Sequence, residues 1–253
     1  MILAILQARF SSSRLPGKVL EPILGKPMLL HQIERISRSR MIDKLVIATS
    51  IDISDDPIEE LCLSNNIKVF RGDLDNVLKR YFDCAKVFKP SHIVRLTGDC
   101  PLLDWQIIDE AVQTCIHGNF DYLSTDNNLP DGINTEVMTL SALQVAHKNA
   151  TLPSEKEHVT QYIRKRPKEF NLGVYSYNEN LSHLRFTVDE PEDLMLVKCI
   201  YKYLIDDNPQ FLLDDILMLL KKYPDLEKIN NKFERDEGLL KSQALDKQYI
   251  NNV

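Results

Sequence analysis

Three cations stand close together after the first apolar run of the chain: Arg9, Arg14 and Lys18. Between them lie Ser11, Ser12, Ser13 and Gly17, small residues that let backbone N–H groups and hydroxyls approach a ligand closely. Such a loop suits a polyphosphate, whose charge the cations neutralise. Two aspartates complete the set. Asp99 precedes Cys100-Pro101 and Asp189 precedes Glu190-Pro191, each at the end of a predicted strand. A carboxylate from each strand tip can hold one hard cation between them, and Mg2+ needs only one or two alongside phosphate oxygens and water. An aspartate before a helix is also an ordinary N-cap, and that alternative stays open for Asp189. Gly98, just ahead of Asp99, lets a ligand approach the backbone there. Neither a Walker A loop nor a G-x-G-x-x-G fingerprint is present.

These residues need a scaffold that brings distant segments together. Ile2 to Leu6, Leu45 to Thr49, Ile67 to Phe70 and His92 to Leu96 read as buried strands. Amphipathic helices are predicted between them: one after Pro27, one opened by Asp56-Pro57 with Glu59 as capping acid, and one opened by Asp73 or Asp75. A further helix carries Ile108, Ala111, Val112 and Cys115. This alternation predicts an α/β fold, a mainly parallel sheet with helices on both faces. Ligands then sit beyond the carboxyl ends of the strands, so the loops after Leu6, Phe70 and Leu96 are expected to share one crevice. That rule gathers Arg9, Arg14, Lys18, Arg71 and Asp99.

From Phe120 the alternation weakens. Asp121 to Leu123, Thr135 to Leu140 and Gly173 to Tyr177 read as shorter strands, and Ser154 with Glu157 as a capping box for a helix through Tyr162. Leu184 to Val188 is the last predicted strand, leading into a helix that starts at Asp189-Glu190-Pro191. The loop from Asp126 to Glu136, with Asn127 and Asn134, is a candidate wall for a second substrate, and Arg185 a candidate partner for its carboxylate. His158 and Trp105 fit structural positions. Residues 206–253 read as polar helical segments packed outside the main sheet.

The chain has 253 residues, 43% hydrophobic and 27% charged, within the range of ordinary globular proteins. Its net charge of −6 argues against general nucleic-acid binding, which needs a basic face, and makes the cationic loop more telling. Five scattered cysteines without zinc spacing fit reduced thiols, and no leader or membrane span is visible. A cytoplasmic protein is expected.

AILQARFSSSRLPGKVL, GKPML, FRGDLDNVLKRY, RLTGDCPLLD, EKEHVTQYI and LRFTVDEPEDL occur in this order. Together they resemble the cytidylyltransferase family, which includes the CMP-Kdo and CMP-acylneuraminate synthetases, and most closely its spore-coat polysaccharide branch. The resemblance spans about Met1 to Ile205. It implies a nucleotide-diphospho-sugar transferase-like domain over 1–205, with an acceptor and dimerisation section at about 120–180 and a helical extension over 206–253. It also implies CTP and Mg2+ as nucleotide and cofactor, pyrophosphate release, an acidic acceptor and a homodimer. Carried over, Leu6, Gln7, Ala8, Arg9, Ser11, Ser12, Ser13, Arg14, Lys18, Arg71 and Asp99 hold the nucleotide. Lys18, Arg14 and Asp99 serve catalysis, and Asp99 and Asp189 hold the metal; by their own positions in the chain, Asn127, Asn134, Glu136 and Arg185 are expected to face the acceptor. QARFSSS in place of a glycine-rich PAR loop, and Cys100 after Asp99, point away from Kdo or a sialic acid as acceptor. A glycosyltransferase of the same fold, or a nucleotide-binding subunit without catalysis, are the rival expectations.

Overall fold

The structure, a computed structural model, describes residues 1–12, 14–233, 235 and 237–251. Strand β1 (Ile2–Gln7) is buried along its first five residues. Ile2, Ala4 and Leu6 face one core, and Leu3 and Ile5 the other. That two-sided burial is why its sequence is a continuous apolar run. A small hairpin, β2 (Pro22–Ile23) with β3 (Lys26–Pro27), leads into α1 (Met28–Ile36). Strands and helices then alternate through β4 (Lys44–Ser50), α2 (Asp56–Ser64), β5 (Val69–Gly72), α3 (Val77–Phe88), β6 (His92–Thr97) and α4 (Trp105–His117).

The second half supplies β7 (Tyr122–Thr125), β8 (Glu136–Thr139), α5 (Leu140–Asn149), α6 (Pro153–Glu157), α7 (Gln161–Arg164) and β9 (Leu172–Tyr175). Helices α8 (Pro191–Leu204), α9 (Leu213–Lys222) and α10 (Glu237–Asn251) follow. The main sheet runs β5-β4-β1-β6-β8-β7-β9. Its first four strands are parallel, β8 is antiparallel to both neighbours, and β9 is parallel to β7. Helices α1, α2, α4, α8 and α9 cover one face, and α3, α5 and α7 the other. This is the expected α/β class.

Several boundaries differ from the sequence expectation, for local reasons. The third strand begins at Val69, because Ile67 N is used up closing the end of α2 on Cys62 O. Asn76 caps α3, accepting from Lys79 N, while Asp73 accepts from the amides of Asp75 and Asn76 in the preceding turn. Asp56 and Glu59 turn to Arg71 and do not cap α2. The helix expected through Tyr162 is split into α6 and α7 at Val159, whose φ of 48° is left-handed. Its capping acid is Glu155, which accepts from Thr151 N and Leu152 N.

Leu184 to Val188 does not join the sheet. Its backbone is stitched elsewhere: Phe186 N donates to Asp131 O at 2.6 Å, and Val188 N to Asp99 O at 2.7 Å. Those bonds tie the 126–136 loop and the strand-end loop at Asp99 to the segment that ends in Asp189. Beyond residue 205, Phe211, Leu213, Ile216, Leu219 and Leu220 enter the same core as α8.

Candidate active site

The cationic loop is anchored from below by Asp55. One carboxylate oxygen accepts from Phe10 N at 2.7 Å, and the other from Ser50 N at 2.9 Å and Ser50 Oγ at 2.5 Å. Burial would raise the Asp55 pKa, but these donors outweigh it and hold it below the ordinary value. The loop closes where Gly17 N donates to Phe10 O at 2.9 Å. Lys18 follows immediately, so its position is fixed by that closure.

Lys18 is 7% exposed, and its ammonium meets three oxygens. Val188 O and Asp189 Oδ1 each lie 2.7 Å from Nζ, and Asp99 Oδ2 lies 3.4 Å away. Burial alone would lower its pKa; Asp99 and Asp189 outweigh burial and raise it, so the group stays charged. Asp189 responds in the opposite sense. Burial would raise its pKa, yet Lys18 and then Arg14 pull it down to about 2. Asp189 also accepts from Arg14 at 2.7 Å and Arg185 at 3.0 Å.

Asp189 is not the cap of α8. Glu190 stands at the N-cap, and Asp193, the third residue of the helix, completes the capping box by accepting from the amides of Asp189 and Glu190 at 2.9 Å each. The Asp189 carboxylate is thereby released to the crevice. Asp99 is steadied on its other oxygen by Thr97 Oγ1 at 2.6 Å. Gly98 is required by packing: a Cβ there would sit 2.9 Å from Gln7 O. The two strand-end loops could not lie side by side with a larger residue.

Two cavities of about 330 and 550 Å³ meet at Asp99 and Asp189. The larger is lined by Gln7, Ala8, Arg9, Ser11, Ser12, Arg14 and Lys18, the expected nucleotide set. The smaller is lined by Asn127, Asn134, Glu136 and Arg185, the expected acceptor set. Ser13 lies outside the described residues. Leu6 is fully buried in the core, and its side chain lines neither cavity.

Arg71 corrects the expectation of one shared crevice. It sits on the edge strand β5 and pairs with Asp56 and Glu59 at 2.7 Å each. Its Nη2 donates to Asp52 O at 2.7 Å, and it lines neither cavity. It clamps the turn that contains Asp55. Arg71→Ala is therefore expected to lower stability by ~1 kcal/mol and leave turnover within about threefold. Parallel thermal melts and rate measurements check this; a collapse of nucleotide affinity in a folded variant would return Arg71 to the site.

Glu136 and Arg185 are both heavily engaged. Glu136 accepts from Arg95, from the Tyr122 hydroxyl and from Thr160 Oγ1. Arg185 is shared among Asp131, Asp189 and Asp193, and is 8% exposed. In this arrangement Arg185 orients Asp189, and Glu136 orients Arg95. Sequence reasoning passed over Arg95, Thr97, Arg164 and Arg235, all of which line the smaller cavity. Arg95 left a signal, as the one charge in the run Ile93-Val94-Arg95-Leu96. Among the described residues, Arg95 Nε and Gln7 Oε1 are buried without a hydrogen-bond partner at the cavity walls. Buried polar atoms are rarely left so, and a polar ligand would satisfy them. Arg235 bridges the 126–136 loop, donating to Asn127 O, Leu129 O and Asn134 Oδ1 at 3.2, 3.1 and 2.9 Å.

The donor set fits Mg2+. Asp99 and Asp189 converge on one cationic point, the Lys18 ammonium, and offer only oxygen. Among the described residues no group of three or more His, Cys, Asp or Glu gathers as a metal cage. A metal here would depend on phosphate oxygens and water, as Mg2+ commonly does. No helix among the described residues is long and apolar enough to cross a membrane.

Comparison with known proteins agrees with this geometry. The cytidylyltransferase family model matches residues 3–243. The spore coat polysaccharide biosynthesis protein SpsF of Bacillus subtilis is 35% identical over 231 residues, 88% of this chain and 95% of that protein. An uncharacterized protein of Methanocaldococcus jannaschii is 36% identical over 232 residues, 91% and 94% of the two chains. A solved cytidylyltransferase from Leptospira borgpetersenii is 31% identical with a TM-score of 0.86, covering 92% of this chain and 99% of its own. The CMP:2-keto-3-deoxy-manno-octonic acid synthetase complexed with CTP shares the fold at a TM-score of 0.63 and 17% identity, over 79% of this chain and 98% of its own. The resemblance read from the sequence motifs is borne out: this chain belongs to the cytidylyltransferase family, the CTP-dependent nucleotidyltransferases.

Proposed function

We propose that the protein transfers CMP from CTP to a hydroxyl of an acidic sugar or related acid, for surface polysaccharide or glycoconjugate biosynthesis. The observation that carries this reading is the junction of two cavities at Lys18, Asp99 and Asp189. One cavity has the cationic loop for a triphosphate. The other presents hydroxyls of Ser124, Thr125, Thr160 and Thr187 beside Arg95, Arg164 and Arg235, a wall suited to a hydroxylated, acidic molecule.

The acceptor oxygen attacks the α-phosphorus, the bond to the β-phosphate breaks, and pyrophosphate leaves while the hydroxyl proton is released to water. Catalysis of this kind is mainly positioning and electrostatics. Lys18 is placed to stabilise charge growing on the α-phosphate, and Arg14 to follow the leaving pyrophosphate once it exchanges Asp189 for phosphate. Arg9 faces the outer phosphates. Mg2+, held by Asp99 and Asp189, would add charge stabilisation on the phosphate oxygens. The SpsF relative supports the polysaccharide role. A cytoplasmic homodimer belongs to the same proposal, by resemblance to the family.

Pyrophosphate release tests the reading. The four nucleoside triphosphates are crossed, with Mg2+, against a panel of sugar acids and phosphorylated small acceptors. Release that requires CTP and one acceptor supports the proposal and names the substrate. CTP-independent release, or none with any acceptor that binds, counts against it.

A further inference from the structure

Helix α10 supplies part of the wall of the nucleotide cavity. Gly238, Lys241, Ser242 and Leu245 of α10 line it together with Arg9, Ser11 and Lys18. The helix is held there by buried polar contacts. Ser242, 3% exposed, meets His158 Nε2 at 3.0 Å and donates to Glu157. Asp246, 6% exposed, accepts from Ser154 N at 2.9 Å and Ser154 Oγ at 2.5 Å. These anchors fix the turn that carries Lys241.

At the junction, Arg14, Lys18 and Arg185 face the carboxylates of Asp99, Asp189 and Glu190, and Arg185 is shared further with Asp131 and Asp193. Cations already paired with carboxylates have little charge left over for a triphosphate. Further positive charge has to come from elsewhere on the cavity wall: Arg95 there is paired with Glu136, and Arg9 and Lys241 stand on the same wall.

We infer that Lys241 is a nucleotide-binding residue that engages the outer phosphates of CTP, so that α10 closes the cavity over the bound triphosphate. The inference rests on the nucleotide reading above and goes beyond it, because the cationic loop alone was assigned the phosphates. Outer-phosphate contact has a specific signature: the affinity for CTP depends on Lys241, whereas the affinity for CMP does not.

The test is calorimetric titration of the full chain with CTP and with CMP, in the presence of Mg2+. Lys241→Ala removes one surface cation. Lys247→Ala removes the same charge from the same helix, away from the cavity, and serves as the control. Lys241→Ala is expected to weaken CTP roughly five- to tenfold and CMP by less than about twofold, with Lys247→Ala changing neither. Equal weakening of CTP and CMP, or wild-type CTP affinity in Lys241→Ala, overturns the inference and leaves the nucleotide reading standing. Failure of CTP to bind the unaltered chain overturns both.

Discussion

Replacing Lys18 with methionine is expected to lower turnover on the order of 10²–10³-fold in a protein that still folds. The ammonium sits where the two cavities meet, 2.7 Å from Asp189 and 3.4 Å from Asp99. It is the only one of the three loop cations held by both aspartates among the described residues. Methionine keeps the apolar stem and removes the charge. Asp189 is not stranded, because Arg14 and Arg185 still hold it. The carboxylates of Asp99 and Asp189 are 28% and 20% exposed, so water screens part of the loss. We therefore expect a stability loss of ~1–2 kcal/mol, below the value for a fully buried pair. Linkage gives a second readout. The Lys18 pKa is raised on folding, so its contribution is full below the ordinary value of 10.5 and fades as pH rises beyond it. The alkaline edge of wild-type stability should flatten in Lys18→Met. Turnover within a few-fold of wild type would remove Lys18 from catalysis.

Asp55→Asn should produce the largest loss of stability, ~2–4 kcal/mol, with a weakened grip on CTP. Asp55 is fully buried, and its two oxygens accept from Phe10 N, Ser50 N and Ser50 Oγ. An asparagine offers one acceptor oxygen and sets an NH₂ group against a donor on the other side. The bond to Phe10 N holds the start of the cationic loop, so the damage reaches the site. Asp55 and Asp189 both have depressed pKa values on folding. The stabilisation each gives is present above the ordinary carboxylate value of 3.8 and is lost as pH falls below it, for Asp189 toward about 2. Acid unfolding of the wild type should steepen in that window, and Asp55→Asn should lack part of the step. Chemical denaturation at pH 7 and pH 3 checks both; a variant as stable as wild type at neutral pH would show that Asp55 is not the anchor.

Much of the scaffold was legible because burial on both faces leaves a mark. β1 is apolar at every position that enters a core, and α3 repeats Val77, Tyr81 and Cys84 toward one side. The Leu184 to Val188 run left the same mark without being a sheet strand. Side-chain pattern records burial, and says nothing of which carbonyl accepts each amide; here Asp131 and Asp99 accept them. The cationic loop and the two aspartates were legible because charge and small residues are rare beside buried strands. Their anchor, Asp55, left no signal in the sequence, since its contact to Phe10 spans 45 residues. Arg235 and α10 reach the site through carbonyl, hydroxyl and carboxylate contacts, which impose no periodicity on the sequence. Arg71 was misplaced because its neighbours in sequence suggest the crevice, while Asp56 and Glu59 hold it at the sheet edge.

Attack at the α-phosphorus is most directly tested by following label. CTP labelled at the α- or the γ-phosphate is given, with Mg2+, to the wild-type protein and the acceptor that supports pyrophosphate release. Transfer of the α-label to the acceptor, with all γ-label in pyrophosphate and both slowed together in Lys18→Met, is the predicted result. Appearance of γ-label on the acceptor, or of α-label only as free CMP, would contradict cytidylyl transfer at this site.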